Sequence, residues 1–205
     1  MKDAEVVVQA FRRRALERKG LGLEHLLKMA QQRNKGVVYL DLSCYGPGGY
    51  YSDRPGYQQC ADAASGRCYV LGQTYGYEEG TGILLSLRIS DMLTGAIGAL
   101  EILLALRDRA TEGGSYHAEA TLTAVETIQL TKEFGLYPPE TVKKLQDTYK
   151  FLLLKPEHHV EDLMFVVLIA WSGSTDLLQR KDYYAFRGEC LRKGSHHPRS
   201  NCEFR

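Results

Sequence analysis

A chain of 205 residues with 44% hydrophobic and 25% charged side chains has a globular composition, which excludes a wholly disordered chain. A body of this length buries roughly 70% of the surface its unfolded chain exposes, so a core forms without covalent staples. Lys plus Arg number 26 and Asp plus Glu number 25, a net charge of +1 that lacks the basic excess non-specific nucleic-acid binding requires.

The chain opens on Glu5 to Phe11 (EVVVQAF), a short Val-rich run that reads as a buried strand. Arg12 to Arg18 forms a basic turn punctuated by Gly20-Leu21-Gly22. Leu23 to Gln32 predicts a helix, with Leu23, Leu26, Leu27 and Ala30 on one stripe, and Lys35-Gly36 stops it. Val37 to Ser43 is the strongest strand, rich in β-branched and aromatic residues. Strand, helix, strand in that order implies a right-handed parallel crossover and a layered α/β fold: a Rossmann-like parallel sheet with flanking helices. Ligands of such sheets sit beyond the carboxyl ends of the strands. Here those ends lead into Phe11 to Lys19 and into Cys44 to Tyr57.

Cys44 to Tyr57 holds four Gly, two Pro and four Tyr, so it breaks both periodicities and must be an irregular loop. A loop with that much aromatic surface is expected to pack on something, and binding loops are one such class. Gln58 to Ser65 reads as a short helix, and Gly72 to Gly82 as a polar, Gly-rich connection. Leu87 to Ser90 reads as a short extended segment that Asp91 follows. Met92 to Arg109 then predicts a helix whose apolar face carries Leu93, Ala96, Ile97, Leu100, Leu103 and Leu104. Gly95 and Gly98 lie near its start, where they permit close backbone approach. Ser115 to Leu122 alternates as a strand does. The reading divides the chain into an α/β unit over 1–136, a helical extension over 137–171 with helices at Glu140 to Tyr149 and Val160 to Trp171, and an irregular basic tail over 172–205. Gln179 to Arg205 carries seven Lys or Arg against three acids, a solvated tail.

Several chemistries are weakened by absent signals. The five cysteines (Cys44, Cys60, Cys68, Cys190, Cys202) are odd in number and include no CxxC spacing, which favours reduced thiols over a disulfide framework or a zinc site. Neither His158-His159 nor His196-His197 suggests a metal site, because neighbours on a helix face different ways. Neither phosphate-loop spacing nor GxSxG occurs. Cys60 and Cys68 lack a legible base partner. The N-terminus has no secretory pattern, and the longest apolar-rich stretch, Met164 to Trp171, falls short of the about 20 residues that span a bilayer. The expectation is a cytoplasmic protein without a membrane partner, with mitochondrial or peroxisomal locations left open.

Asp91 carries the positive signal. As an acid opening an apolar helix it is explained by the helix dipole alone, at about 0.3–1 kcal/mol. Free N–H groups at a helix start also favour an ionised carboxylate, which can act as nucleophile or base. The cluster Arg12, Arg13, Arg14, Arg18 and Lys19 suits phosphates as well as it suits a solvated turn.

Several segments, taken in order, resemble the family III CoA-transferases, the CaiB/BaiF group that includes 2-methylacyl-CoA racemases. Val8 to Arg12 followed by Ala15 to Gly22 is similar to that family's ENFRPG…LERLGLG segment. Gly36 to Gly46 is similar to GLIYVSISGYG, Asp53 to Tyr57 to DRPGYD, and Ala61 to Gly66 to AQAMSG. Ile89 to Gly95 is similar to IGDLLTG, and Leu106 to Arg109 to ALHERE. The ordered set spans Glu5 to Thr127. The resemblance implies that Asp91 is the catalytic aspartate and that Phe11, Arg18 and Lys19 line a CoA site. It places Tyr57 at an active-site position that is tyrosine in formyl-CoA-transferase-like members and histidine in racemases, which points to transfer. The implied substrates are an acyl-CoA and a carboxylic acid acceptor, with CoA as substrate, no tightly bound cofactor and no metal, in a homodimer.

The departures are Ala10 for the usual Asn and Arg13-Arg14 for Pro-Gly. Family members are also substantially longer, with a preceding βα segment and a small domain bearing a Gly-rich loop. The expectation is thus a partial or divergent member. Three functions stay open: CoA transfer, racemase-like isomerisation with Asp91 as base, and an inactive fragment.

Overall fold

The computed structural model describes residues 3–149 and 157–176. Three parallel strands, β1 (Val6–Gln9), β2 (Val38–Ser43) and β3 (Tyr116–Thr121), form one sheet in the order β1-β2-β3. Val6 pairs with Val38, and Val38 with Tyr116; Gln9, Asp41 and Glu119 therefore lie abreast near the carboxyl end. The α/β expectation holds, and the first crossover helix, α1 (Leu23–Gln32), has the bounds its apolar stripe predicts.

Strand alternation sends one set of residues to each face of the sheet. Val7 and Tyr39 pack with Leu26 and Ala30 of α1. Leu40, Leu42 and Ala120 face α4 (Ile89–Glu112) on the other side. Between β2 and α4 run α2 (Gln58–Ala64) and α3 (Arg67–Thr74). After β3 come α5 (Leu122–Gln129), α6 (Pro139–Tyr149) and α7 (Val160–Ser174). Ile83 and Leu163 of α7 form a second apolar cluster, which Leu71 and Val166 adjoin.

Several expectations are corrected. The strand read to Phe11 stops at Gln9, whose side-chain oxygen accepts the Phe11 N–H at 2.9 Å and turns the chain. The strand read to Leu122 stops at Thr121, whose hydroxyl caps α5 by accepting the Ala124 N–H at 3.2 Å. The connection expected from Gly72 is helical as far as Thr74, because Cys68 and Leu71 of α3 are drawn onto the Ile83 region. α4 begins at Ile89, within the segment expected to be extended, and α7 runs on to Ser174, into the first residues assigned to the tail. The basic segment Gln179 to Arg205, with its histidine pair, lies outside the described residues.

The largest correction concerns the face of α4. The buried residues of the helix are Ser90, Thr94, Gly98 and Ala105, whereas Leu100 and Leu103 are 54% and 63% exposed. Small residues win because the helix sits close on β2 and β3: a Cβ on Gly98 would stand 2.9 Å from Leu40 Cδ2. Gly98 therefore serves packing, while Gly95 faces open space. An 18-residue window of this 24-residue helix has a mean hydropathy of 1.7 and is 22% buried, so among the described residues α4, rather than Met164 to Trp171, is the segment long and apolar enough to cross a membrane.

Candidate active site

Beyond the carboxyl ends of the strands lies a cavity of about 470 Å³. Its floor is the row that the strand register creates: Gln9, Asp41, Glu119 and, one pleat back on β3, His117. The Gln9 amide donates to Asp41, and His117 Nε2 pairs with Asp41 Oδ2 at 2.9 Å. One wall is the turn Arg12, Arg13, Arg14, where Arg14 takes a left-handed φ of 60°. The other wall is the loop after β2. It folds on itself: Tyr50 and Tyr51 meet edge to face at 5.1 Å, and the Arg54 guanidinium lies 5.0 and 5.4 Å from their ring centres. Two of the loop's four tyrosines thus meet its own arginine, while Tyr50 and Tyr57 stay largely exposed.

The site residues expected from the sequence fall into three groups. Phe11 and Tyr57 both line the cavity and are 64% and 76% exposed. Arg18 and Lys19 are exposed on a single turn of 3-10 helix, Glu17–Lys19, that continues the arginine wall; they are not part of the lining. Asp91 is exposed in the first turn of α4 and is also outside the lining. It is nonetheless tied to the cavity. Its N–H donates to Gln58 Oε1 at 3.2 Å, Gln58 directly follows Tyr57, and its carboxylate acts electrostatically on the cavity residue Cys44.

Behind Asp91 lies a buried polar network that sequence reasoning missed. Gln58, Asp62, Ser90 and Glu126 are all buried. Gln58 Nε2 donates to the Leu87 carbonyl at 3.1 Å and to Asp62 Oδ2 at 3.5 Å. Arg67 donates to Ser90 Oγ at 2.7 Å, and Ser65 Oγ to Glu126 Oε2 at 2.7 Å. Burial, then the neighbouring Glu126, push the Asp62 carboxyl up to about 7. Burial also raises the Cys68 thiol to about 11, which makes it a poor nucleophile. An available signal was an acid set among small or apolar residues: Asp62 beside Ala61 and Ala63, and Glu126 beside Val125.

Sequence reasoning also missed the floor. Asp41, His117 and Glu119 keep their ligand-type atoms within 4.8 Å of one another, the only such group among the described residues with the donors for a metal ion. The strand register brings them together; His158-His159 lies at the start of α7, and His196-His197 lies outside the described residues.

The arrangement is an exposed carboxylate at a helix start, beside a cavity with an arginine wall and aromatic edges. Such a carboxylate can serve as nucleophile or base, and the arginines can face an anionic group. An acyl-CoA transferase of Gibberella moniliformis is 47% identical over 182 residues, 89% of this chain and 32% of the relative. The acetyl-coenzyme A transferase nodX of Hypoxylon pulicicidum is 30% identical over 192 residues, 92% of this chain and 32% of that one. A CaiB/BaiF family protein from Brucella suis shares the fold, with a TM-score of 0.54 at 24% identity over 63% of this chain and 32% of that structure. The chain spans about a third of the length of these curated relatives. The model of CoA-transferase family III matches residues 1–145, and on that match over more than half its length the chain belongs to CoA-transferase family III.

Proposed function

We propose that this chain carries the nucleophile-bearing part of a CoA-transferase that moves CoA from an acyl-CoA to a carboxylic acid acceptor. One observation carries the reading: the solvent-exposed carboxylate of Asp91, fixed by its own N–H to Gln58 beside the cavity residue Tyr57. In the proposed cycle an Asp91 oxygen attacks the thioester carbonyl carbon. The C–S bond breaks, giving a mixed anhydride and CoA thiolate. The thiolate then attacks the aspartyl carbonyl, releases the donor as its carboxylate and leaves an aspartyl-CoA thioester. The acceptor carboxylate attacks that thioester in turn, and returning thiolate yields the new acyl-CoA and free Asp91. Covalent relay splits one hard exchange into easier steps. Phe11 and Tyr57 would border the CoA chain, and Arg12, Arg13 and Arg14 would face its phosphates, with Arg18 and Lys19 contributing from the adjoining turn. The acid/base role of the racemase reading has no histidine at position 57 to serve it.

The test is incubation with acyl-CoA and a carboxylate acceptor, followed by mass spectrometry for CoA on Asp91. The adduct is expected in the wild type and absent from Asp91→Ala; transfer undiminished in that variant defeats the mechanism. A second reading rests on the span of about a third of the relatives' length: the chain alone binds CoA weakly without turning it over. Titration calorimetry with CoA plus the adduct assay separates the two, since binding heat without an adduct selects the second.

A further inference from the structure

We propose that Asp62 and Glu126 share one proton and, through Gln58, act as positioning residues for the first turn of α4 and for Asp91. This rests on the proposed role of Asp91 for its functional meaning, though not for its structural content.

The argument starts from two oxygens. Asp62 Oδ1 and Glu126 Oε1 are buried and have no hydrogen-bond donor among the described residues, while the two carboxyl groups stand within hydrogen-bonding reach of each other. Asp62 is 1% exposed and Glu126 fully buried. Two buried carboxylates in contact repel and leave both oxygens unsatisfied; one proton between them satisfies both. Charge agrees. Arg67, on α3, acts electrostatically on both acids, so a single negative charge on the pair leaves the cluster neutral. The other ionisable groups facing the pair are Cys68 on α3, whose thiol is pushed up, and Cys44 just after β2, whose thiol burial raises first and Glu126 and Asp91 raise further.

The network leads outward to the reacting end of the molecule. Asp62 Oδ2 accepts from Gln58 Nε2, and Gln58 Oε1 accepts the Asp91 N–H. In parallel, Arg67 holds Ser90, the residue before Asp91. A proton on Asp62 leaves Glu126 as the anion that accepts from Ser65 and from Asp62. Because the carboxyl of Asp62 is raised, the fold loses stability as pH rises from the ordinary carboxylate range towards about 7, and the loss is complete above it.

Asp62→Asn tests this, because its amide donates to Glu126 and its oxygen accepts from Gln58 at every pH. Amide hydrogen exchange of the first turn of α4 is measured on the full chain at about pH 6 and about pH 8.5, corrected for intrinsic rates, either side of the raised carboxyl. In the wild type, protection of the Asp91 and Met92 amides should fall about tenfold between the two, because an ionised Asp62 repels Glu126 and loosens the buried network behind the helix, although its bond from Gln58 remains available. Asp62→Asn should keep protection at both values, and Gln58→Ala should lack it at both. Infrared spectra near pH 6 should show a protonated carboxylic acid band in the wild type that Asp62→Asn lacks. A missing band, or wild-type pH dependence in Asp62→Asn, overturns the proposal. None of these readouts needs turnover, so failure of the Asp91 adduct assay leaves them standing. If transfer is observed, Gln58→Ala should lower kcat about tenfold with KM little changed, the split expected of a lost positioning contact; an unchanged kcat removes the functional half of the proposal.

Discussion

The two ends of the sheet are built on opposite plans. At the amino end, cross-links are dense: Arg109 donates to the Gly36 and Glu5 carbonyls at 3.1 and 3.3 Å and to Glu5 Oε2 at 2.7 Å, and Lys35 pairs with the same carboxylate. Arg33 donates to the Ala4 carbonyl, and Ser115 Oγ accepts the Val37 N–H. At the carboxyl end the same strands stop at an open cavity edged by exposed Phe11 and Tyr57. Polar cross-links are concentrated where the strands begin, and the open cavity lies where they end. A parallel sheet permits this separation because all its strands start on one side.

Gly36→Ala is the sharpest way to break the comparison. A Cβ at Gly36 would stand 1.6 Å from the Gly114 carbonyl oxygen, a backbone atom that cannot rotate away. β2 and the turn before β3 would have to separate. We expect a loss of about 3 kcal/mol or more, at the upper end of overpacking costs, read as a lower urea midpoint. A midpoint within error of the wild type would show that the amino end is looser than described.

Arg109→Ala comes next. The arginine side chain is 13% exposed and gives charged hydrogen bonds to the Gly36 and Glu5 carbonyls, which keep Arg33 and the Val38 N–H as their other donors. The expected cost is about 1–3 kcal/mol by the same measurement. Full stability in this variant would mean that water replaces the guanidinium without penalty.

How much of this was legible beforehand differs by region. β1, α1 and β2 could be read because their signals are local: the Val run, the stripe Leu23, Leu26, Leu27 and Ala30, and the β-branched stretch after Gly36. Phe11, Tyr57 and Asp91 came from motif order. The face of α4 was misread because the buried stripe Ser90, Thr94, Gly98 and Ala105 is defined by size, and hydrophobic periodicity favours the larger residues beside it. The Asp62–Glu126 pair and the row Asp41, His117, Glu119 depend on contacts between elements far apart in the chain, which no window along the sequence contains.

Glu5→Gln has a smaller effect, confined to acid. Lys35 first, then Arg109, hold the Glu5 carboxyl down to about 2 from 4.5. A depressed carboxyl adds stability that is present above the unfolded value and lost as pH falls through the folded one. The acid limb of the stability curve between those values should therefore flatten in Glu5→Gln. The Glu5 side chain is 45% exposed, so the difference from wild type should shrink in high salt. An unchanged acid limb would remove Glu5 from the clamp.

Phe11→Ala probes the opposite end and should barely move stability. Its ring is 64% exposed, and a substitution that opens no core cavity stays within about 0.5 kcal/mol. The same ring is an aromatic edge of the cavity, so CoA titration should show weaker binding than wild type. Stability kept and affinity lost is the signature of a carboxyl end devoted to ligand. The reverse result, a destabilised fold with unchanged CoA binding, would make Phe11 part of the scaffold and move the binding surface away from the strand ends.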